Sequence, residues 1–519
     1  MLAFFVNVWY TMFSGIKKYE GATTNALVYI PPPPEKVSNY QRELPIGALF
    51  IGTYAKHAGH NVKMIDGLES NSFSVDDGFV PDVLGISMLT MYSICVVDSI
   101  RKFIADVKKV SDPVVVCGGP GSSVLSKALL NDHLADYVVT GPGEDVFVEL
   151  LSAFETGSAV SGIPGLAYLD DTGSFVETPR TRCTGDCLSL QTDYSLMDVP
   201  RYINKSIDDE QAVAICASRG CKFRCTFCYN EAFYGCSFQP RPVSAIVAEM
   251  KILNAQYGVT SFRIMDEDFG SDKAHMRELC NAIIAELPPV TWWCMTRSGV
   301  QTREDYELMR RSGCRIVSFG VETADPQMSR KIRKGINLAR MPAEIKLLHE
   351  LGFLTSAFFI TAFPGETREQ LKHTCEFMMA SKLDEFWISR FYLIPDTVLF
   401  EELESSGRVT MPKTVAEFQA YLSPKHYPNY SEIPERELDV VEAFVNLAFR
   451  FEILFQKGKF WSNLKMYVNA RVKGSGNGGI RYLFASLALY LKMMWRITVH
   501  PLIRKKYGLQ FKNFQRFPK

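Results

Sequence analysis

Residues 212–229 read AVAICASRGCKFRCTFCY, and this stretch is the most informative about the fold of the chain. An apolar run typical of a buried β-strand leads into a loop with the spacing C-x3-C-x2-C, formed by Cys221, Cys225 and Cys228. Three thiolates on one loop can each bind one iron of a [4Fe-4S] cubane, which leaves the fourth iron open to a small ligand. Gly220 lets the backbone turn sharply off the strand. We therefore predict a cluster site where this strand ends.

Two other uses of these cysteines stay open, a structural zinc site and a redox dithiol. Zinc usually takes a fourth ligand, and none of the eight histidines lies between His133 and His275. The nearby thiols of Cys216 and Cys236 belong to no matching motif. A second C-x3-C pair, within residues 183–187, lacks a third partner and is interpreted as structural thiols.

The composition is that of a globular protein without a nucleic-acid signature. The 519 residues are 47% hydrophobic and 22% charged, and 57 basic residues balance 57 acidic ones. A nucleic-acid partner usually requires a basic excess, so we expect none. The first residues, MLAFFVNVWYTMF, lack the basic start and cleavage site of a signal peptide. We predict a cytoplasmic protein whose 13 cysteines are free thiols or metal ligands.

Strand and helix patterns alternate along most of the chain. Apolar runs such as ALVYIP, VLGIS and VVVCGG, separated by amphipathic stretches, indicate a parallel sheet that is covered on both faces. A later series of six βα units indicates a barrel or part-barrel. We predict an α/β fold with four parts: a doubly wound, Rossmann-like domain (1–180), a linker (181–210), a partial (β/α)6 barrel (211–400) and a helical C-terminal region (401–519).

The C-terminal region contains the most apolar late stretch, residues 480–497. It carries Arg481, Lys492 and Arg496, which are too many charges for a membrane-spanning helix. We predict an amphipathic helix that packs in a core, with membrane contact as the less favoured alternative.

The cysteine loop resembles the fingerprint of the radical S-adenosylmethionine (AdoMet) superfamily, including the aromatic residue directly before the last cysteine. This resemblance covers about residues 211–400 and implies that the open iron binds AdoMet and that the cluster cleaves it to a 5′-deoxyadenosyl radical. The acidic string MDEDFG after the second barrel strand, the segment SFGVET and the turn AFPGET match further family segments. For Asp268 alone we favour a helix N-cap. The resemblance implies AdoMet contacts for Phe227, Asp266, Glu267, Arg297 and Glu322.

The N-terminal domain resembles the cobalamin-binding domains that are fused to radical AdoMet barrels. Four strings carry the resemblance: PIGALFIGTYAKHAGH, GISMLT, VCGGP and GPGE. Small residues would let a cobalamin tail approach the backbone, and hydroxyls would donate hydrogen bonds. A generic nucleotide or flavin domain stays open, because the fold alone does not decide. The resemblance implies cobalamin contacts for Ser87, Leu89, Thr90, Gly118, Gly119, Gly141 and Glu144.

One familiar feature of cobalamin carriers is missing from the sequence. The D-x-H-x-x-G motif should follow the first strand, but residues 31–47 contain no histidine. Cobalt would then lack a protein imidazole on its lower face, as in many cobalamin-dependent radical AdoMet proteins. We interpret His57 and His60 as surface residues rather than ligands.

Together the two resemblances imply a cobalamin-dependent radical AdoMet enzyme, and most characterised members of that family are methyltransferases. They imply that a 5′-deoxyadenosyl radical activates an unactivated carbon, which then takes a methyl group from methylcobalamin; no catalytic side chain is assigned. The substrate would be a small molecule, a lipid or a peptide, and the electron donor a flavodoxin or a ferredoxin. Three alternatives stay open: a ring-forming enzyme of the anaerobic tetrapyrrole cyclase type, a methylthiotransferase and a non-catalytic corrinoid-binding protein.

Overall fold

The computed structural model describes residues 23–33, 43–74, 78–89, 91–180, 188–205, 211–235, 237–422 and 428–454. The predictions for Thr90, for Cys183 and Cys187, for Cys236 and for the helix at residues 480–497 lie outside these ranges. Within them the chain forms an α/β structure around two large sheets, which confirms the predicted fold class.

The first sheet has the strand order β2-β1-β3-β4-β5-β6-β7. β1 to β5 run parallel, and β6 and β7 form an antiparallel hairpin at the edge. The order 2-1-3-4-5 is doubly wound, and such sheets bind ligands at the carboxyl ends of their strands. The strands are β1 (Asn25–Ile30), β2 (Asn61–Asp66), β3 (Val83–Ser87), β4 (Val114–Gly118), β5 (Tyr137–Val139), β6 (Leu166–Leu169) and β7 (Phe175–Glu177).

In the part of the chain that the structure describes, four helices cover this sheet, as the alternating pattern predicts. Their buried residues are mainly apolar, because one side of each helix packs on the strands. The helices are α1 (Ile46–His57), α2 (Val97–Lys108), α3 (Pro120–Asn131) and α4 (Glu144–Thr156). The sequence GLAYLDDTGSF forms the predicted hairpin, in which Gly173 N donates to Asp170 O at 2.8 Å.

The second sheet has the strand order β16-β15-β14-β13-β12-β9-β8, and within the described ranges its two end strands are not paired with each other. All neighbours are parallel except β8. It is therefore an open half-barrel. The strands are β8 (Asn204–Lys205), β9 (Gln211–Ile215), β12 (Ser261–Ile264), β13 (Thr291–Thr296), β14 (Cys314–Glu322), β15 (Leu354–Thr361) and β16 (Glu385–Arg390). A separate antiparallel pair consists of β10 (Ser218–Arg219) and β11 (Gln239–Pro240).

Described helices share a core with one face of the half-barrel, its outer face. On β13 the side chains of Trp292 and Cys294 join the core cluster with the helices, so that Trp293 and Met295 lie on the inner face. The helices from the cysteine loop onward are α5 (Asn230–Tyr234), α6 (Val243–Tyr257), α7 (Lys273–Glu286), α8 (Arg303–Arg311), α9 (Pro326–Lys331), α10 (Met341–Glu350), α11 (Arg368–Ala380), α12 (Val398–Ser405), α13 (Val415–Tyr421) and α14 (Glu435–Leu454).

The described part of the C-terminal region, up to residue 454, is helical, as predicted. Leu438 and Val441 of α14 share a core with Phe386 of β16. α13 instead contacts the first half of the molecule, where Val415 N donates to Asp132 at 3.0 Å. The helices of the described ranges include none with the length and apolar character needed to cross a membrane.

Candidate functional site

The three predicted cluster cysteines lie on the loop between β10 and α5. Cys221 and Cys225 are buried and Cys228 is half-buried. Burial raises the pKa of Cys221 to about 11 and that of Cys228 to about 12, and a charge on Cys225 contributes to both increases. The three thiols lie within eight residues of one loop. Within the described ranges, no three His, Cys, Asp or Glu side chains converge on a point suited to one metal ion.

Positive charges surround these thiols. One Nη of Arg297 lies 3.6 Å from the Cys225 sulfur, and the guanidinium stacks on the ring of Phe223 at 3.5 Å. Lys334 also opposes the rise in the Cys228 pKa. Cationic neighbours favour thiolates, and binding to iron would release the protons that burial retains. The donor set therefore fits a cluster held by three thiolates.

The turn that enters the loop depends on Gly220. Its φ is +75°, and a Cβ on this residue would stand 2.1 Å from the backbone oxygen of Ser237. Only glycine fits there without a shift of the backbone. Gly220 N donates to the side chain of Glu267 at 3.1 Å, and burial raises the pKa of Glu267 to about 7.

Asp266, two residues after β12, holds the same turn in place through hydrogen bonds. It is 1% exposed, and its two oxygens accept hydrogen bonds from Ala217 N, at 2.7 Å, and from the Ser218 hydroxyl. The AdoMet contact expected of Asp266 stays a prediction; the contacts that the structure describes position the cysteine loop.

The interpretation of Asp268 as a helix N-cap is wrong. α7 is capped by Asp272, whose carboxylate accepts from His275 N at 3.1 Å. Asp268 is buried instead, and its Oδ2 has no hydrogen-bond partner within the described ranges. Burial raises the pKa of Asp268, and Arg297 and Lys334 oppose the rise. A buried carboxylate with an unused oxygen beside the cluster loop is a candidate for an ammonium ligand.

Glu322 ends β14 in an unusual conformation. Its φ is +65°, which is rare for residues other than glycine and is often found at functional sites. Lys334 donates to it at 2.9 Å, and both side chains are largely buried. A Cβ at Gly320 would lie 2.7 Å from Glu322 and 2.8 Å from Lys334, so Gly320 makes room for the pair. Lys331, three residues before Lys334, instead donates to Pro364 O at 2.6 Å.

Phe227 and the AFPGET turn meet beside the loop. The rings of Phe227 and Phe363 lie edge to face, with centroids 5.5 Å apart. Glu366 is fully buried and accepts hydrogen bonds from Ala362 N at 2.6 Å and from Phe363 N at 3.3 Å. The turn leads into α11, which Thr367 caps.

We expect Glu366 to make the stability of the protein depend on pH. Burial raises its pKa to about 8, whereas the unfolded chain titrates near 4.5. The folded state thus keeps a proton that the unfolded state loses, and this stabilisation, complete below about pH 4.5, is lost as the pH rises towards about 8. Thermal unfolding between about pH 5 and pH 8 should show a steeper loss in the native chain than in Glu366→Gln, which keeps the acceptor oxygen. Parallel curves would contradict this role.

The residues predicted for cobalamin lie at the carboxyl ends of the first sheet. Ser87 ends β3, Gly118 ends β4, and Gly141 follows β5. Gly119 has a φ of +101°, and a Cβ there would stand 2.8 Å from Met88 O. Leu89 lies two residues after Ser87, and its side chain is 55% exposed.

A buried hydroxyl supports a ligand at this edge. Thr140 is 1% exposed, and its Oγ1 has no hydrogen-bond partner within the described ranges. The glycines, the exposed leucine and this hydroxyl fit a large ligand that approaches the backbone closely. The expectation that His60 is a surface residue is wrong. His60 is buried directly before β2, with Nδ1 at 3.1 Å from the Glu155 carboxylate. His57 is exposed, as predicted.

Glu144 connects the two halves of the molecule, namely the domain of the first sheet and the half-barrel. It begins α4, directly after the predicted cobalamin loop, and forms a buried ion pair with Arg219, two residues before the first cluster cysteine. The Arg219 guanidinium also lies 4.7 Å from the centre of the Phe50 ring on α1. Arg241 stacks on the same ring at 4.9 Å. Residues of both halves line a small cavity nearby. The lining residues are Pro120, Ser123, Val124, Arg180, Tyr229, Ala232, Phe233 and Asp396.

Breaking this ion pair is expected to destabilise the protein strongly. Arg219→Met leaves the Glu144 carboxylate buried without its cation, which typically costs about 3–5 kcal/mol. The matched control is Lys56→Met, because Lys56 and Asp193 also join the first domain to a later segment but form an exposed pair, worth about 0–1 kcal/mol. Thermal unfolding of both variants tests this difference. Equal losses would contradict a structural role for the buried pair.

Two family models match the chain. The radical SAM superfamily model covers residues 215–378, and the B12-binding domain model covers residues 38–151. The first match contains the cysteine loop, and the second ends within α4.

The chain is also similar to individual proteins. An uncharacterized methyltransferase of Pyrococcus horikoshii is 30% identical over 369 residues, 69% of this chain and 78% of the relative. The anaerobic magnesium-protoporphyrin IX monomethyl ester cyclase of Cereibacter sphaeroides is 28% identical over 63% of this chain and 54% of its own length.

A solved structure shows the same fold. The radical AdoMet methyltransferase TsrM of Kitasatospora setae, with cobalamin and a [4Fe-4S] cluster bound, superposes with a TM-score of 0.61. The two chains are 22% identical, and the match covers 74% of this chain and 75% of TsrM. With two matched family models, a cysteine loop that fits a cluster and a relative matched over most of its length, the chain belongs to the cobalamin-dependent radical SAM enzymes, whose cofactors are a [4Fe-4S] cluster, AdoMet and cobalamin.

Proposed function

We propose that the protein is a methyltransferase that acts on an unactivated carbon. The observation that carries the proposal is the junction at Glu144 and Arg219, which ties the loop at the edge of the first sheet to the loop of the cluster cysteines. The ion pair would hold a cobalamin site on the first sheet next to a cluster site on the half-barrel. This arrangement suits a reaction in which one site activates the substrate and the other delivers a methyl group. The methyltransferase names of the Pyrococcus horikoshii relative and of TsrM support the same reaction.

We assign the side chains to three groups on this basis. Cys221, Cys225 and Cys228 hold the cluster. Around AdoMet we place the predicted contacts of the half-barrel, together with Asp268 and Lys334. The predicted AdoMet contacts are Phe227, Asp266, Glu267, Arg297 and Glu322. The cobalamin site takes Ser87, Leu89, Thr90, Gly118, Gly119 and Gly141, whereas Glu144 acts through its ion pair with Arg219.

The protein's own part in the reaction is binding, orientation and exclusion of water. When bound, the cofactors supply a 5′-deoxyadenosyl radical and a transferable methyl group. Asp268 and the Glu322–Lys334 pair offer one free carboxylate oxygen and a buried cation, which suit the amino and carboxylate ends of an amino acid. Asp266 and Glu267 fix the turn of the cluster loop through hydrogen bonds. No side-chain base is required by these roles.

Methyl-labelled AdoMet tests the proposal directly. Anaerobically purified protein with cobalamin and a reductant is incubated with deuterated-methyl AdoMet and with metabolite and lipid extracts. We expect 5′-deoxyadenosine and at least one product that carries the deuterated methyl group, and neither from Cys228→Ala protein. A substrate that is consumed with 5′-deoxyadenosine formation but without the label would contradict methyl transfer.

Cyclisation is the second candidate, and the similarity to the Cereibacter sphaeroides cyclase favours it specifically. The labelling experiment separates the two reactions, because a cyclised product keeps its methyl count.

We further propose that the enzyme works in the cytoplasm on a small-molecule, lipid or peptide substrate and receives electrons from a flavodoxin or a ferredoxin.

A further inference from the structure

The inner face of the half-barrel carries a pair of large aromatic side chains on its last two strands. On β15 and β16, Phe359 and Phe386 belong to the core shared with the outer helices. Because neighbouring residues of a strand face opposite sides, Phe358 and Trp387 lie on the inner face. They are register partners on adjacent strands. Trp387 leaves 45% of its surface exposed there.

Strand register places this pair at the level of the proposed AdoMet site. Gly320, which makes room for the buried ion pair of β14, is the register partner of Phe358. Two residues further along β15, Ile360 packs in the same apolar cluster as Phe227. Phe227 precedes the last cluster cysteine, so an apolar surface extends from the cluster loop towards the open edge at β16.

One carboxyl group lies beside this apolar surface. Glu385 is half-buried, is two residues before Trp387 and therefore shares its face of the strand. The Trp387 side chain, whose indole N–H is its only donor, hydrogen-bonds to Glu385. A carboxylate has about four acceptor positions, so Glu385 can accept a second donor from a ligand.

We propose that Phe358, Ile360, Glu385 and Trp387 form an aromatic shelf that binds the substrate through an aromatic ring carrying an N–H or O–H donor. Aromatic rings gain from offset or edge-to-face contact with neighbouring rings. The donor would give the half-buried Glu385 carboxylate a further hydrogen bond, which offsets the cost of its burial. An alkyl chain offers no ring contact. This inference rests on the proposed function and names the substrate class for that site.

Matched small probes test the shelf independently of turnover. Indole has both the ring and an N–H donor, and 1-methylindole has the ring without the donor. 1-Octanol has an O–H donor but an alkyl chain in place of the ring. Equilibrium dialysis against the cofactor-loaded protein is carried out at about pH 8, above the pKa of about 7 to which burial raises Glu385. We expect indole to bind about fivefold or more tightly than 1-methylindole, as for a hydrogen bond to a charged group. Octanol should displace indole only at higher concentration.

Two variants locate the binding. Trp387→Ala is expected to weaken both indoles by about fivefold or more, because it removes the exposed ring. Glu385→Leu is expected to abolish the preference for indole over 1-methylindole. The matched control is Ile284→Ala, because Ile284 is an equally exposed apolar residue on the outer helix α7. It should change neither affinity.

Several outcomes would overturn the shelf: no indole binding, equal binding of the two indoles, displacement by octanol at equal or lower concentration, or unchanged binding in Trp387→Ala. The proposed function is tested separately on the unmodified protein by its cluster-dependent cleavage of AdoMet. Loss of that activity with intact probe binding would contradict the methyltransferase and leave an aromatic-binding site.

Discussion

Replacing any one of Cys221, Cys225 and Cys228 by alanine is expected to remove the iron–sulfur absorbance and to lower AdoMet cleavage by about a thousandfold or more. Each thiolate would hold a different iron, so none can substitute for another. Iron and sulfide content, visible absorbance and 5′-deoxyadenosine formation measure the effect.

The matched control is Cys375→Ala. Cys375 is equally a buried free thiol, but it lies within α11 in the core between sheet and helices. It should leave the cluster and the cleavage activity intact. A cluster that survives the loss of one loop cysteine, or disappears with Cys375, would contradict the assignment.

Gly220→Ala is expected to have the second-largest effect. The new Cβ would meet the Ser237 backbone oxygen at 2.1 Å, and the residue would keep a φ of +75° that disfavours a side chain. The strain is on the order of 1–3 kcal/mol, and the backbone must move to relieve it. Because Cys221 is the next residue, we expect cluster content after anaerobic reconstitution to fall about tenfold or more.

Gly235→Ala is the matched control for this change. Gly235 also has a positive φ, +61°, but no atom lies within 4 Å of the position of its Cβ. It would suffer the conformational cost of about 1–2 kcal/mol without the clash. If the two variants retain the same iron content, the tight turn at Gly220 is not what shapes the cluster loop.

Much of the fold could be predicted because its signals are local. An apolar run such as AVAICAS indicates a buried strand without any knowledge of distant contacts. The spacing of the three cysteines is likewise read directly from neighbouring residues. The doubly wound first sheet, the half-barrel and the hairpin turn at Asp170–Gly173 follow from such patterns. Gly119, one of the paired glycines, has a φ of +101°, a conformation that favours glycine, whereas the approach of a cobalamin tail to it stays a prediction.

The contacts between distant residues could not be predicted in this way. The ion pair of Glu144 and Arg219 joins two sheets, and a charge in a loop does not reveal which distant charge it meets. His60 was expected at the surface because it follows a helix, but Glu155 of α4 provides a buried partner. Asp268 was interpreted as a cap because sequence does not show whether Asp268 or Asp272 lies at the helix start.

The most direct test of the central claim is electron paramagnetic resonance of the anaerobically reconstituted, reduced protein before and after addition of AdoMet. If three thiolates hold a [4Fe-4S] cluster with one open iron, the reduced cluster gives a spin signal whose g-values shift when AdoMet binds that iron. A cluster signal that AdoMet leaves unchanged, or no cluster signal at all, would contradict the claim.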